Sequence, residues 1–145
     1  FDTTRPVYIE SESKKVGNVV VPQSLMTAMR RSPCLHLQLC EEERVKLLLE
    51  DYDFFVRDIE FFCERLDALT EARGKAMVAD WQARSRAGGV AGVVKDLLVL
   101  HYDPVYLQSM RRNFKQYDTS KMIAPEDHSA GAMAKLAEKI LQDLH

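Results

Sequence analysis

The size and charge of the chain are those of an ordinary globular domain. Its 145 residues are 46% hydrophobic and 29% charged, with a net charge of −2, so any nucleic-acid role must come from local basic patches. No run approaches the roughly 18 apolar residues of a membrane span, and the first residues lack the basic-then-apolar order of a signal peptide. The three cysteines, Cys34, Cys40 and Cys63, are an odd number for a disulfide framework and predict free thiols in a reducing cytoplasm.

The first third of the chain predicts two strands separated by a loop and a helix. Residues 5–10 read as a short buried strand that ends in acid, residues 11–18 as a polar loop, and residues 19–21 as a brief extended run. Pro22 suits the first turn of a helix over residues 23–31, with Leu25, Met26 and Met29 facing inward. The alternating leucines of residues 33–39 predict the second strand.

The rest of the chain predicts helices. They cover residues 41–52, 54–69, 75–87, 90–101, 103–112 and 126–144, with a polar connection over 113–125. Two strands do not make a self-sufficient parallel sheet, because such a sheet needs neighbouring strands and helices on both faces. We therefore expect a mostly helical α/β fragment, the second half of an open parallel sheet whose other strands precede Phe1, with a helical C-terminal tail.

The loop after the first predicted strand carries the clearest candidate site. It offers Glu10, Glu12, Ser13, Lys14 and Lys15, and ligands of open α/β sheets bind at the carboxyl ends of strands. Carboxylates there can orient Mg²⁺ or water beside a phosphate, while the lysines neutralise phosphate oxygens. The alternative interpretation is a solvated, charged turn.

Paired arginines form the second candidate site, an RNA-binding one. Arg30-Arg31 and Arg111-Arg112 lie at predicted helix ends. Aromatic residues flank the second pair in the sequence, and arginine beside aromatic rings can hold a backbone and stack a base. The alternative interpretation is solvated helix ends beside aromatic residues of the core. The aromatic residues concerned are Tyr102, Tyr106, Phe114 and Tyr117.

Other polar motifs predict no catalytic or metal site. The phosphate-loop pattern G-x-x-x-x-G-K-[ST] does not occur, and the glycines from Gly88 to Gly92 follow a helix rather than a strand, so they predict a turn between helices. His36 reads as a hydrogen-bonded histidine of the sheet. His101 and His128 have no partners at ligand spacing, so we assign neither a metal.

Four collinear segments resemble the bacterial tRNA 2-selenouridine synthases. The most specific is residues 6–18, which follow the family's E-x-E-S-basic-x-[IV]-G pattern after a strand, and Val21-Pro22 and a helix come next. Three weaker segments agree in order: residues 32–35, residues 43–52 and the His101-Tyr102-Asp103-Pro104 run that continues to Leu107. The resemblance covers roughly residues 5–112.

The resemblance implies a two-domain parent enzyme. A rhodanese-like domain would precede a phosphate-loop domain of the nucleotide-kinase type, and this chain would be the C-terminal part of the second domain. Residues 1–53 would be its α/β portion and residues 54–145 its helical portion. The rhodanese domain and the Walker A loop are not in the sequence, so we expect the chain alone to be inactive and to need the rest of the polypeptide.

The same resemblance implies the reaction. The family replaces sulfur by selenium in wobble 2-thiouridine of tRNA, with selenophosphate as the donor and a geranylated intermediate made from geranyl diphosphate. Glu10, Glu12, Ser13, Lys14 and Lys15 would then bind the phosphate-bearing substrate, and the two arginine pairs the tRNA. We expect a cytoplasmic enzyme without a membrane partner, in which Mg²⁺ would be an accompanying ion; the catalytic residues stay unassigned.

Two other interpretations fit the residues. The chain could belong to another phosphate-loop enzyme, such as a small-molecule kinase, whose second half shares the strand-acid-loop arrangement. It could also be a non-catalytic helical interaction module that begins with two strands. A rhodanese domain upstream would separate the first alternative from the selenouridine synthases, and a stable, monodisperse fragment would favour the second.

Overall fold

The computed structural model describes residues 4–11 and 14–143, which form a mostly helical structure with a small parallel sheet. None of the helices in these ranges is long and apolar enough to cross a membrane. In chain order the elements are β1 (Lys15–Val16), β2 (Val19–Val20), α1 (Gln23–Arg31), β3 (Leu35–Leu37), α2 (Glu41–Asp51), α3 (Asp53–Arg57), α4 (Ile59–Asp67), α5 (Thr70–Arg73), α6 (Lys75–Arg86), α7 (Val90–Leu97), a π-helical turn (Leu98–Tyr102), α8 (Asp103–Asn113), a 3₁₀ turn (Tyr117–Thr119), β4 (Lys121–Ile123) and α9 (Ala130–Asp143).

The strand predicted over residues 5–10 is wrong. The chain is irregular there, and Val7, Tyr8 and Ile9 are exposed. An apolar β-branched run forms a strand only when another strand accepts its backbone hydrogen bonds, and no described segment pairs with this one. Both the strand and its burial are therefore wrong, because an apolar pattern alone does not supply a pairing partner.

The predicted polar loop instead contains half of a hairpin. β1 and β2 pair antiparallel, with Val16 opposite Val19, around a two-residue turn of Gly17 and Asn18. Gly17 has a φ of 59°, as expected for a glycine at the first central position of a tight hairpin turn. A further bond from the Val21 N–H to the Lys14 carbonyl (2.8 Å) extends the pairing. Lys14 and Lys15 are therefore held on an ordered ribbon.

Helix α1 has the predicted bounds, with Pro22 immediately before it. Met26 is buried and Met29 half-buried, whereas Leu25 is exposed, contrary to expectation. The second predicted strand is confirmed as β3, which pairs in parallel with β4, Leu35 lying opposite Lys121 and Leu37 opposite Ile123. β4 lies in the predicted polar connection. It was not predicted because three residues are too few to show the alternation of a strand.

The main hydrophobic core lies between α4, α6 and α7. Trp81 is 1% exposed and packs with Phe62, Leu66, Val78 and Val93. Its indole Nε1–H donates to Asp96 Oδ2 (3.3 Å), so the buried ring keeps its hydrogen bond. Truncating such a ring to alanine costs roughly 3–5 kcal/mol. The apolar residues predicted to face inward on α4 and α6 are the ones that form this core.

The turn between α6 and α7 confirms the interpretation of the glycine run. The Gly89 N–H donates to the Arg84 carbonyl (2.8 Å) and the Gly88 N–H to the Ser85 carbonyl (3.0 Å), which is the Schellman pattern. Gly88 has a φ of 88°. A Cβ on Gly89 would lie 3.1 Å from the Arg84 carbonyl oxygen. The glycines therefore end a helix and start the next one.

Two helical boundaries differ from the prediction because side chains cap or interrupt them. The helix predicted over residues 54–69 is divided at Asp58, whose Oδ1 accepts from the Phe61 N–H (3.0 Å) and starts α4. The last helix begins at Ala130 rather than at residue 126, because Ser129 Oγ accepts from the Ala132 N–H (3.2 Å).

Helices α7 and α8 are continuous through the π-helical turn. Pro104 lies in the first turn of α8 and has no N–H to donate to the preceding turn. The π turn immediately before it accommodates that missing bond without ending the helix. The sequence predicted two separate helices, whereas the structure has one continuous helix. The π turn changes which residues share a face before and after it.

A second apolar cluster fixes α8 beside α1. Met110, Phe114 and Tyr117 are buried against Met29 and Cys34. The Tyr117 hydroxyl lies 3.3 Å from the ring nitrogens of His36, which confirms His36 as a hydrogen-bonded histidine of the sheet. This cluster brings the C-terminal ends of α1 and α8 together.

Candidate phosphate and RNA site

The last turn of α8 contacts one residue from the loop of the first predicted site and one arginine of the second. Ser11 Oγ–H, in the first predicted site's loop, donates to the Met110 thioether sulfur (3.6 Å). Arg30 Nη2–H, at the end of α1, donates to Asn113 Oδ1 (2.9 Å). Loop and helix end therefore meet at opposite ends of one helical turn, although about a hundred residues of chain separate Ser11 from that turn.

The described candidate residues of the loop are accessible to solvent. Glu10 and Lys14 are exposed, and Lys15 is exposed on β1 of the hairpin. Glu12 and Ser13 lie outside the described residues. Lys14 and Lys15 are successive residues of the ribbon, so their side chains project to opposite faces and each can contact an anionic oxygen separately.

The four predicted arginines lie around the joined helix ends but differ in availability. Arg31 and Arg112 are exposed. Arg111 is exposed too, and its Nε–H donates to Asp118 Oδ1 (2.9 Å), which offsets part of its charge. Arg30 is half-buried, and its Nε makes no hydrogen bond within the described part of the chain.

The backbone also contributes to this junction. Gln116 Nε2–H donates to the Arg30 carbonyl (3.2 Å), and the same amide contacts the Ser32 carbonyl. Carbonyls at a helix C-terminus are otherwise unpaired, so Gln116 completes the end of α1. Arg30 is therefore partly a structural residue, and Arg31 and Arg112 are the better candidates for contact with a phosphate backbone.

A second group of side chains gathers where α2 meets the start of α8. Arg44 makes a bidentate pair with Asp103, Nη1 to Oδ2 at 2.8 Å and Nη2 to Oδ1 at 2.5 Å. Beside it lies an open cleft of about 530 Å³ lined by Arg44, His101, Tyr102, Val105, Tyr106 and Ser109. His101 Nδ1 accepts from Arg73 Nε–H (3.2 Å).

Comparisons with known proteins identify the relatives of this region. A family model described as the tRNA 2-selenouridine synthase AAA domain matches residues 2–62. The tRNA 2-selenouridine synthase of Marinobacter nauticus is 26% identical over 127 residues. The resemblance read from the sequence is confirmed: the chain is similar to the tRNA 2-selenouridine synthases.

That similarity has defined limits in length. The alignment covers 70% of this chain and 35% of the Marinobacter synthase, so the chain spans about a third of the length of that relative. No solved structure matches the chain. The family model's range includes the Glu10–Lys15 segment, Arg30, Arg31 and Arg44, whereas Arg111, Arg112 and the Asp103 helix lie beyond it.

The Arg44–Asp103 contact was not predicted from the sequence. Arg44 and Asp103 lie in two separate segments that resemble the family, but nothing in their spacing of 59 residues predicted a contact. The available signal for the contact was that one of these segments contains a basic residue and the other an acidic residue.

In the part of the chain that the structure describes, the remaining titratable groups do not build a metal or thiol site. Within residues 4–11 and 14–143, no group of three or more His, Cys, Asp or Glu side chains is arranged to hold a metal ion. Burial raises the pKa of the Cys34 and Cys63 thiols, which disfavours the thiolate. Cys40 is exposed. Of the loop carboxylates proposed for Mg²⁺, only Glu10 lies in the described part.

His128 has partners that the sequence did not predict. Its Nδ1 lies 2.6 Å from Glu43 Oε2, and its Nε2 lies 3.2 Å from the Glu50 carboxylate. The bond to Glu43 raises the pKa of His128. Bonds from Lys46 and then from His128 lower the pKa of Glu43 to about 2. The contacts of His128 with Glu43 and Glu50 connect the segment before α9 to α2, and they are strongest when His128 is protonated.

Proposed function

We propose that this chain is part of a tRNA-modifying transferase that replaces sulfur by selenium in wobble 2-thiouridine. Selenophosphate would be the selenium donor and geranyl diphosphate the source of a geranylated intermediate. The similarity to tRNA 2-selenouridine synthases supports a tRNA-modifying role. The observation that carries the proposal is the meeting of the acid–base loop and the arginine pairs at the last turn of α8.

The geometry suits a reaction between an RNA and a phosphorylated small molecule. Such a reaction requires the two substrates to be held close together, which is where enzymes obtain much of their rate enhancement. Lys14 and Lys15 would neutralise the phosphate oxygens of the small substrate. Arg31 and Arg112, a few residues from the same helical turn, would contact the phosphate backbone of the tRNA.

The loop carboxylates have a different role in this proposal. Glu10 and Glu12 are acceptors only when ionised, so they repel phosphate oxygen and suit orientation of a proton, a water molecule or Mg²⁺. Ser13 would donate a hydrogen bond to the substrate. We assign these residues to substrate binding within a phosphate-loop domain of the nucleotide-kinase type and leave the catalytic residues unassigned.

The test is nucleoside mass spectrometry of total tRNA from the source organism. Deleting the gene should remove 2-selenouridine and its geranylated thio-precursor from cells grown with selenite. Complementation with the intact gene should restore both nucleosides. Complementation with Lys14→Glu should restore much less, because a carboxylate replaces an ammonium group beside the phosphate, and Lys139→Glu on exposed α9 surface is the matched control.

An unchanged nucleoside profile in a host that makes selenouridine would contradict the proposal. That outcome would favour the alternative of a small-molecule kinase that shares the strand-acid-loop arrangement. Equal restoration by Lys14→Glu and Lys139→Glu would keep the reaction but remove the loop lysine from the substrate site.

A further inference from the structure

The cleft beside Asp103 exposes two tyrosine rings on one helical face. Tyr102 is 55% exposed and Tyr106 is 51% exposed, and both line the cleft. They are four residues apart, so they lie next to each other on the helix surface. Large apolar rings left in water at one place commonly mark a binding surface rather than a stable end state. These two rings are not needed by the core.

The backbone around the rings is specialised. Tyr102 is the last residue of the π-helical turn, and such turns are frequent at functional sites because they change which residues share a face. The His101 ring lies edge-on to Tyr102, with centroids 5.0 Å apart at 76°. Arg44 is fixed in the cleft wall by Asp103. The rings are therefore presented on a rigid element with a guanidinium alongside.

The same helix leads from the rings to the basic helix ends. Tyr106 and Arg112 are six residues apart on α8, which is about 9 Å along the helix axis and about 120° around it. A polyanion bound at Arg112 and Arg31 could thus extend along α8 and place a neighbouring group over Tyr102 and Tyr106.

We propose that Tyr102 and Tyr106 form a stacking platform for an unpaired nucleobase of the RNA substrate. The proposal rests on the RNA substrate of the proposed function and adds how a single-stranded segment of it would be held. A flat base would stack on an exposed ring of the pair, and Arg112 would receive the adjoining phosphate, while Arg44 stays paired with Asp103 in the wall of the cleft. In double-stranded RNA the bases are stacked inside the helix, so a duplex could contact this surface only through its phosphates and the arginines.

The experiment is fluorescence anisotropy with labelled RNA and the full chain. The probes are single-stranded oligouridylate, single-stranded oligoadenylate and a fully paired RNA duplex at one low salt concentration. Tyr106→Ala and Tyr102→Ala should each weaken single-strand binding about tenfold, given typical losses on removal of a stacking ring. Duplex binding should change less than about twofold, since phosphate contacts are retained.

Conservative variants separate stacking from simple apolar contact. Tyr106→Phe keeps the ring face and should bind single strands like the wild type, whereas Tyr106→Leu keeps apolar bulk without a face and should behave like Tyr106→Ala. Circular dichroism of each variant, compared with that of the wild type, shows that the helices are intact. Tyr52→Ala, an exposed tyrosine at the end of α2, is the control outside the cleft.

The outcomes distinguish this proposal from the proposed function. Single-strand binding that survives in both alanine variants overturns the platform but leaves the tRNA role standing. Equal affinity of Tyr106→Leu and the wild type for single strands also overturns it, because apolar bulk without a ring face would then be sufficient. Failure of the wild type to bind any of the three RNAs overturns the platform, whereas the proposed function is tested separately by the nucleoside profile of the deletion strain.

Discussion

The Arg44–Asp103 pair should contribute measurably to the free energy of unfolding. It connects α2 to the first residue of α8 and forms one wall of the cleft that Tyr102 and Tyr106 line. We expect a coupling free energy of about 1–2 kcal/mol between Arg44→Met and Asp103→Asn in a double-mutant cycle. Methionine keeps the apolar stem of arginine, and asparagine keeps the shape of aspartate, so the cycle isolates the charged contact.

The magnitude follows from geometry and exposure. Two charge-assisted hydrogen bonds at 2.8 and 2.5 Å would each contribute about 1.5–3 kcal/mol if they were fully shielded from solvent. The side chains are 34% and 32% exposed, so water screens part of that attraction. Exposed pairs contribute only about 0–1 kcal/mol, and this partly buried bidentate pair lies between the two limits.

The assay is urea denaturation followed by circular dichroism. The matched control is Arg86–Glu60, a second bidentate pair with bonds of 2.9 and 2.7 Å, whose side chains are 49% and 68% exposed. Its coupling free energy should be clearly smaller than that of Arg44–Asp103, because solvent screens it more. Equal couplings for the two pairs, or none for Arg44–Asp103, would refute the link between exposure and pair strength.

Two further predictions concern stability. The hydrogen bond to Glu43 raises the pKa of His128 above 6.5, so the stabilisation is fully present below that pH and is lost as the pH rises through the raised value. His128→Gln should therefore flatten the fall in urea midpoint above about pH 6.5, and an unchanged pH profile would contradict the contact. Gly88→Ala should destabilise the chain by about 1 kcal/mol because its φ is positive, whereas Gly131→Ala, at an ordinary φ near the start of α9 with only Ser129 Oγ (3.9 Å) nearby, should stabilise it slightly. Thermal denaturation checks both signs.

Local signals predicted the helices well because the required information lies within each helix. The bounds of α1 and the turn at Gly88 depend on Pro22, on apolar spacing and on glycine, and the structure confirms them. The strands were less predictable. Residues 5–10 have the composition of a strand without a described partner, and β4 is a three-residue strand created by pairing with β3.

The candidate site was predictable in its parts but not in its assembly. The sequence identified Lys14, Arg31 and Arg112 as cations, but it did not predict the contacts of Ser11 with Met110 and of Arg30 with Asn113, which join the two regions. The Arg44–Asp103 contact likewise joins residues 59 apart in the chain. Contacts of this kind follow from tertiary packing, which one sequence's periodicity does not encode.

The arrangement of α8 suggests why its charges and rings lie where they do. Cations at the C-terminal end of a helix favour the helix dipole, so Arg111 and Arg112 stabilise α8 whether or not RNA is bound. Exposed rings at Tyr102 and Tyr106 have no comparable benefit to folding, and removing them should cost little stability. If their replacement lowers RNA affinity while the unfolding free energy stays constant, binding is the physical reason for leaving two tyrosines in water.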